Sequence, residues 1–345
     1  MIFDINKPVP PPDQGARDRA QARQQQLTKP QGSLGRLEDI AIDFAGWQRR
    51  EIPELNQITL RIFAGDHGVT AQGISAFPAE VTGQMIHNFC AGGAAISVLA
   101  KEQQCDFEVW NLGTIEPTPS LPALKNIQIA LGTKDFSTES AMTSHQLNEA
   151  LQAGADSIPE GTQLFVGGEM GIGNTTSASA LMAALFNLSA DEVAGSGTGL
   201  DQAGVAHKAK VVTRALLLHM SDNPDPLQLL ERLGGLEIAA LVGAYLHCAQ
   251  NSVPVLVDGF IASVAAAYAI ALNPSARHWM LFGHCSAEQA HKLLLEKLDV
   301  KPLLNLEMRL GEGSGAATAI PLIKSALALH AGMATFDDAS VSEGA

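Results

Sequence analysis

The hydrophobic pattern switches period repeatedly along this chain. "ITLRIFAG" (58–65) and "DFEVWNLG" (106–113) are short, β-branched and apolar, the signature of strands. "QIALGT" (128–133) reads as a short third strand, and about 143–155 as a helix. Beyond residue 160 one unit recurs: strand, glycine-rich loop, helix. "QLFVGG", "EMGIGNTT" and "SASALMAALF" form the first. "EVAGSGTGLD" and "QAGVAHKAKVVTRALLL" follow as loop and helix, then "VPVLVDG" and "FIASVAAAYAIAL", then "HWMLFGH" and "SAEQAHKLLLEKL". The last helix is expected to open on a capping box, because Ser286 and Gln289 have its spacing. Upstream, a loose Pro-rich arm precedes a polar, helix-compatible stretch. After a turn at Pro30, Gly32 and Gly35, the residues Leu37, Ile40, Ala41, Phe44 and Trp47 recur at helical spacing. "DHGVTAQGISAFP" is a long loop, and a helix starts near Pro78. Pro321 lies inside the final helical stretch, where it must delete one ladder bond, so a kink or restart is expected.

Strands alternating with helices predict an α/β fold with a doubly wound, parallel sheet. In such sheets ligands bind beyond the carboxyl ends of the strands. Those ends carry Gly65-Asp66-His67, Gly167-Gly168-Glu169, Asp258-Gly259 and Gly283-His284.

Composition narrows the function. Apolar residues make up 46% of the 345, aromatics 5%, so a large core of close-packed helices on a sheet is available. The net charge of −14 argues against a nucleic-acid partner, and any anionic substrate must be held locally against the global field. Cys90, Cys105, Cys248 and Cys285 form no C-x-x-C pair and read as buried free thiols in a reducing compartment. "MIFDINKPVPPPDQ" lacks the features of a secretory signal, and "GFIASVAAAYAIAL" is too short to span a bilayer. The expectation is a soluble cytoplasmic protein.

Two glycine loops carry candidate chemistry. In "GGEMGIGNTTSASA", glycines allow close backbone approach to a ligand, and Asn174, Thr175 and Thr176 stand at a helix start suited to a phosphate. An ordinary capped helix behind a turn explains the same residues. Lys208, in the helix after "GSGTG", is either a phosphate ligand or a solvated surface lysine. "GSGTG" as a dinucleotide fingerprint lacks a preceding strand and the acidic residue at the next strand end. Asp66 fits loop bonding better than metal binding, and His284 reads as structural; the histidines have no metal-ligand spacing. Glu312, in "MRLGEGSGAATAIPLI", sits between two glycines ahead of a helix. It suits either a general base whose pKa burial raises or an acid placed for the helix dipole.

The ordered set "KPQGSLGRLE", "AGDHGV", "PAEVT", "GGEMGIGNTTSASA", "GGLEIAALVGA", "PVLVDGFI" and "LNLEMRLGEGSGAA" resembles the nicotinate-nucleotide–dimethylbenzimidazole phosphoribosyltransferase family of cobalamin nucleotide-loop assembly, over roughly residues 25 to 330. The resemblance implies a Rossmann-like sheet with a small helical domain from both chain ends. Residues 1–57 and 314–345 would form that domain, and 58–313 the large catalytic domain. It implies transfer of phosphoribose from nicotinate mononucleotide to a benzimidazole-type base, with no metal and no cofactor, in a homodimer. It makes Glu312 the general base and Glu169 a second catalytic acid. Gly171, Gly173, Asn174, Thr175, Thr176 and Lys208 would hold phosphate and ribose. Phe77, Pro78, Met85 and Leu310 are the candidate walls of a flat, apolar slot for the base.

Some members of that family have serine and glutamine where this chain has Phe77 and Met85, so the slot is more apolar and the acceptor base is left open. A binding protein of the same fold without the chemistry is the competing function, and its support is the change at these two positions.

Overall fold

The switches of period become six strands in which every neighbouring pair is parallel. The computed structural model describes residues 3–197 and 199–342; Thr198 of the second glycine loop and the chain's outermost residues lie outside it. Among the described residues the strands are β1 (Ile58–Gly65), β2 (Asp106–Gly113), β3 (Leu124–Asn126), β4 (Leu164–Met170), β5 (Val255–Val257) and β6 (Met280–Phe282). Their order is β3-β2-β1-β4-β5-β6. The chain winds outward from β1 through β2 to β3, then returns to place β4 on the other side of β1. The order therefore reverses between β1 and β4, where such sheets open a ligand crevice.

β1 is buried at every position and β4 at all but its last. Strands covered on both faces read as continuous apolar runs, which is why both were visible in the sequence. Register aligns Phe63 with Glu169 and Val257 with Phe282, so the polar residues that end the strands reach one edge together. Gly167 faces Leu241 and Tyr245, whereas Gly168 faces Ile62 and the backbone of Glu312. Helix Leu236–Gln250 thus covers one face of β4, and the segment entering helix Ser314–Gly332 covers the other.

Several expectations change. The third strand is Leu124–Asn126, not 128–133: Gln128 has a positive φ of 51°, which ends the ladder. Its half-exposed "LKN" has no alternation to announce it. Helix Gln289–Lys297 is not capped by Ser286, whose amide and hydroxyl both bond His291 Nδ1. Helix Ser314–Gly332 runs through Pro321 without restarting, because the ring sits on an exposed face. The Pro-rich start is pinned rather than loose: Trp279 Nε1 donates to Pro10 O, and Gln250 Nε2 to Asp4 O. Of the four thiols only Cys248 is fully buried. Helix Leu236–Gln250 had no sequence assignment, since its near-total burial leaves no polar stripe to mark its period.

The two chain ends meet. Helix Arg36–Gln48 packs on both helix Gln14–Gln26 and helix Ser314–Gly332. Arg23 donates to His330 O at 2.8 Å and to Ala331 O at 3.1 Å. No helix among the described residues is long and apolar enough to cross a membrane.

Helix Leu236–Gln250 and helix Ser144–Asp156 approach through glycine. A Cβ on Gly243 would overlap the Leu151 carbonyl, and one on Gly154 the Ala240 carbonyl. Gly243→Ala is therefore expected to cost about 1–3 kcal/mol, because packed backbone cannot yield like a side chain. A fall in the urea midpoint at constant slope checks this; an unchanged midpoint contradicts it.

Candidate active site

A cavity of about 360 Å³ opens beyond the carboxyl ends of β4, β5 and β6. β4 delivers Glu169, the turn after β5 delivers Asp258, and the turn after β6 delivers His284. The segment 309–312 closes the cavity from the front, just before helix Ser314–Gly332.

That segment explains why Glu312 stands between glycines. Gly311, Glu312 and Gly313 have φ of 82°, 64° and 80°, three consecutive residues in the left-handed region. Glycine adopts it freely, whereas a glutamate there is strained by about 1–3 kcal/mol. Space requires glycine as well, because a Cβ on Gly311 would lie 2.6 Å from Glu169 Oε1. The turn lies on β4, where Gly168 has no side chain to hold the Glu312 backbone away.

Four carboxylates line the cavity, Glu169, Asp258, Glu312 and, on the side of Lys208, Glu288. Glu169, Asp258 and Glu312 are 6%, 2% and 7% exposed, and desolvation dominates the titration of Glu169 and Glu312. Burial, with the Asp258 charge adding to it, raises Glu312 to about 7. Burial, then the charges of Glu237 and Asp258, push Glu169 well above the usual carboxylate range. Its two oxygens accept from Asn174 Nδ2 and, at 3.4 Å, from the Glu312 amide.

Across the cavity lies a cationic corner. Lys208 is 1% exposed; its Nζ donates to Thr175 Oγ1 at 2.8 Å. Burial lowers it to about 8, opposed by the charge of Glu288. The surface-lysine alternative is therefore excluded. Gly171 and Gly173 line the same wall, as do Ser196 and Gly197 of the second glycine loop. Helix Asn174–Phe186 starts at Gly173 with no side-chain cap, so the ordinary-capped-helix alternative does not describe it. Asn174 is occupied by Glu169 and Thr175 by Lys208, so the cap position itself is bare.

Phe77, Met85 and Leu310 line the apolar side with Ile74 and Val81. Phe77 and Leu310 are half exposed and stand at the mouth. Two expected residues fall elsewhere. Pro78 lines a neighbouring depression with Asp66 and His67, and the fully buried Thr176 is not a wall of the cavity. Asp66 accepts the Ile115 amide at 2.8 Å, as a loop-bonding acid should. His67 Nε2 pairs with Glu237 Oε1 at 2.7 Å behind the site. No group of three or more His, Cys, Asp or Glu among the described residues is placed to hold a metal ion.

Sequence reasoning placed Asp258 at a strand end without giving it a role, and it missed Arg309 and Glu288 as cavity residues. Arg309 had a signal, a cation three residues before Glu312 in one motif. Glu288 had none, because only the crossing after β6 brings it near Lys208.

The phosphoribosyltransferase family profile matches residues 9–341. The chain belongs to the nicotinate-nucleotide–dimethylbenzimidazole phosphoribosyltransferase family. It is 57% identical over 337 residues to the enzyme so named from Pseudomonas putida (strain W619), covering 96% of each chain. It is 56% identical over 336 residues to that of Xanthomonas axonopodis pv. citri (strain 306), again covering 96% of each. The crystal structure of CobT from Thermus thermophilus superposes with a TM-score of 0.92 at 40% identity, over 96% of this chain and all of that one. Such family membership, at this coverage, makes the chain an enzyme and its cavity the place to seek phosphoribosyl transfer.

Glu312 also links the site to stability. Its folded pKa of about 7 exceeds the ordinary 4.5, so the folded state binds more protons between those values. Stability must fall as pH rises through that window. Glu312→Gln should melt about 2–4 °C above the parent at pH 8 and level with it near pH 4.5. Thermal scans at the two pH values check this; an equal difference at both contradicts it.

Proposed function

We propose that this cavity moves the phosphoribosyl group of nicotinate mononucleotide onto 5,6-dimethylbenzimidazole or a closely related aromatic base. The products are nicotinate and α-ribazole 5′-phosphate. The observation that carries this reading is the placement of one carboxylate, tuned to about 7, in the same cavity as a glycine-lined cationic corner.

In this reading the phosphate lies against Gly171, Gly173, Thr175 and Lys208, where exposed backbone and one ammonium offset the protein's negative field. Arg309 at the rim adds a second cation. The flat base enters between Phe77, Met85 and Leu310. One ring nitrogen attacks the ribose anomeric carbon while the other loses its proton to Glu312. The glycosidic bond to the pyridinium breaks, its electron pair returns to the ring, and neutral-ring nicotinate leaves. Attack from the opposite face inverts the anomeric centre. Glu169 stabilises positive charge developing on the ribose to the extent that it is ionised, and otherwise holds the Glu312 amide and Asn174 in place. Phe77 and Met85 favour acceptors with apolar ring substituents.

The same reading takes the enzyme as a cytoplasmic homodimer. Residues 1–57 and 314–345 form its small helical domain and 58–313 its large one, with the half-exposed Phe77 and Leu310 at the mouth covered by the partner chain.

Incubation with nicotinate mononucleotide and a panel of benzimidazoles should release nicotinate, followed by mass; no release with any base contradicts the proposal. Glu312→Gln should lose about 10²–10⁴-fold in kcat while keeping its KM for the nucleotide. Near-parent turnover would place the base elsewhere. Lys208→Ala should raise the nucleotide KM roughly 10–100-fold, the worth of a charged hydrogen bond. With pH, kcat should rise through about 7 as Glu312 ionises, and nucleotide affinity should weaken above about 8 as Lys208 loses its proton. A flat profile between pH 6 and 9 contradicts both assignments.

A further inference from the structure

The turn that carries Glu312 is bridged locally by Ser314, whose Oγ donates to the Gly311 carbonyl at 2.5 Å, a bond that leaves the amides at the turn's exit without an acceptor. The cap position of helix Ser314–Gly332 is Gly313, and no side chain caps it locally. Asp258 supplies the missing acceptor from across the sheet edge. Its Oδ2 accepts the Gly313 amide at 3.1 Å and its Oδ1 the Ala316 amide at 2.7 Å. Asp258 follows β5 directly, and β5 is paired on both sides, to β4 and to β6. A rigid central strand thus grips the amide next to Glu312 and another in the first turn of its helix.

We propose that Asp258 is a positioning residue for Glu312, locking the left-handed Gly311–Gly313 turn so that the Glu312 carboxylate is presented to the acceptor base. This rests on the reading of Glu312 as the base. A glutamate in the left-handed region is strained and needs such an outside hold. Two charge-assisted hydrogen bonds to a buried carboxylate are strong enough to provide it.

The second consequence is electrostatic. Glu312 is surrounded by Glu169 from β4, Asp258 from β5, His284 from β6, Arg309 on its own segment, and Glu288 and Lys208 across the cavity; Glu237 stands behind Glu169. Of these charges it is Asp258 that adds to burial in raising Glu312. No Lys or Arg pairs with Asp258 among the described residues, and His284 Nε2, 3.6 Å from its Oδ1, neutralises it only when the imidazole is protonated. With a neutral imidazole the Asp258 charge acts on Glu312.

The test is kcat against pH, with both substrates saturating, for the parent, Asp258→Asn, Asp258→Glu and Glu312→Gln. Asp258→Asn keeps one acceptor and loses the charge. Its acid limb should move about one pH unit lower, the effect of removing a neighbouring like charge, and its plateau should fall about tenfold. KM for nicotinate mononucleotide should stay at the parent value. Asp258→Glu keeps the charge but displaces it, so its limb should stay in place while kcat falls. An unmoved limb in Asp258→Asn, or parent-level kcat in Asp258→Glu, overturns the inference. If Asp258→Asn does not fold, Asp258→Glu decides by the same two readings. Loss of both variants to unfolding makes Asp258 a cap alone and also overturns it. Near-parent turnover in Glu312→Gln overturns the general-base reading and this inference with it. A dead Glu312→Gln beside an unmoved Asp258→Asn limb overturns this inference only.

Discussion

The turn Gly311–Glu312–Gly313 is the constraint on which the site depends. Three consecutive left-handed residues belong to neither helix nor strand, so the turn must be held by what surrounds it. β4 provides a glycine surface against which its backbone lies, and Asp258 takes the amides at its exit. Each of these holds comes from a strand in the middle of a parallel sheet, the stiffest part of such a fold. The carboxylate is thereby kept in a half-closed cavity that a freely turning loop would open to water.

Electrostatics follows from the same burial. A protein with a net charge of −14 is an unpromising host for a phosphate. Long-range repulsion is screened within about 8 Å at physiological salt, so local groups decide. Here they are a lysine pulled down to about 8 and a carboxylate pushed up to about 7, both shifted first by desolvation. Groups shifted toward neutrality from opposite sides, facing one cavity, suit anion holding and proton removal near neutral pH. Family membership and this arrangement agree, although they rest on independent observations.

The strands with a continuous apolar run and the helix with a one-sided stripe were legible: β1, β2, β4 and helix Arg36–Gln48 fall where periodicity put them. The elements missed had no such pattern. β3 is an exposed edge strand, and helix Leu236–Gln250 is buried all round. Of the residues the sequence singled out for the site, Glu312, Glu169, Lys208, Gly171, Gly173, Asn174 and Thr175 line one cavity. Thr176 and Pro78, chain neighbours of Thr175 and Phe77, do not line it. Adjacent side chains in a helix or turn point in different directions, and a motif does not record which one faces the ligand.

The sequence by itself determined the layer architecture, the ends of the strands where chemistry gathers, and the need for glycine around Glu312. Those are local consequences of period, backbone freedom and motif. What only the tertiary structure decided is which residues from distant segments meet: Asp258 beneath the Glu312 turn and Glu288 facing Lys208. The reason is physical: burial and charge depend on neighbours within a few ångströms, and in a parallel sheet those neighbours arrive through long crossovers whose meeting points no local pattern encodes.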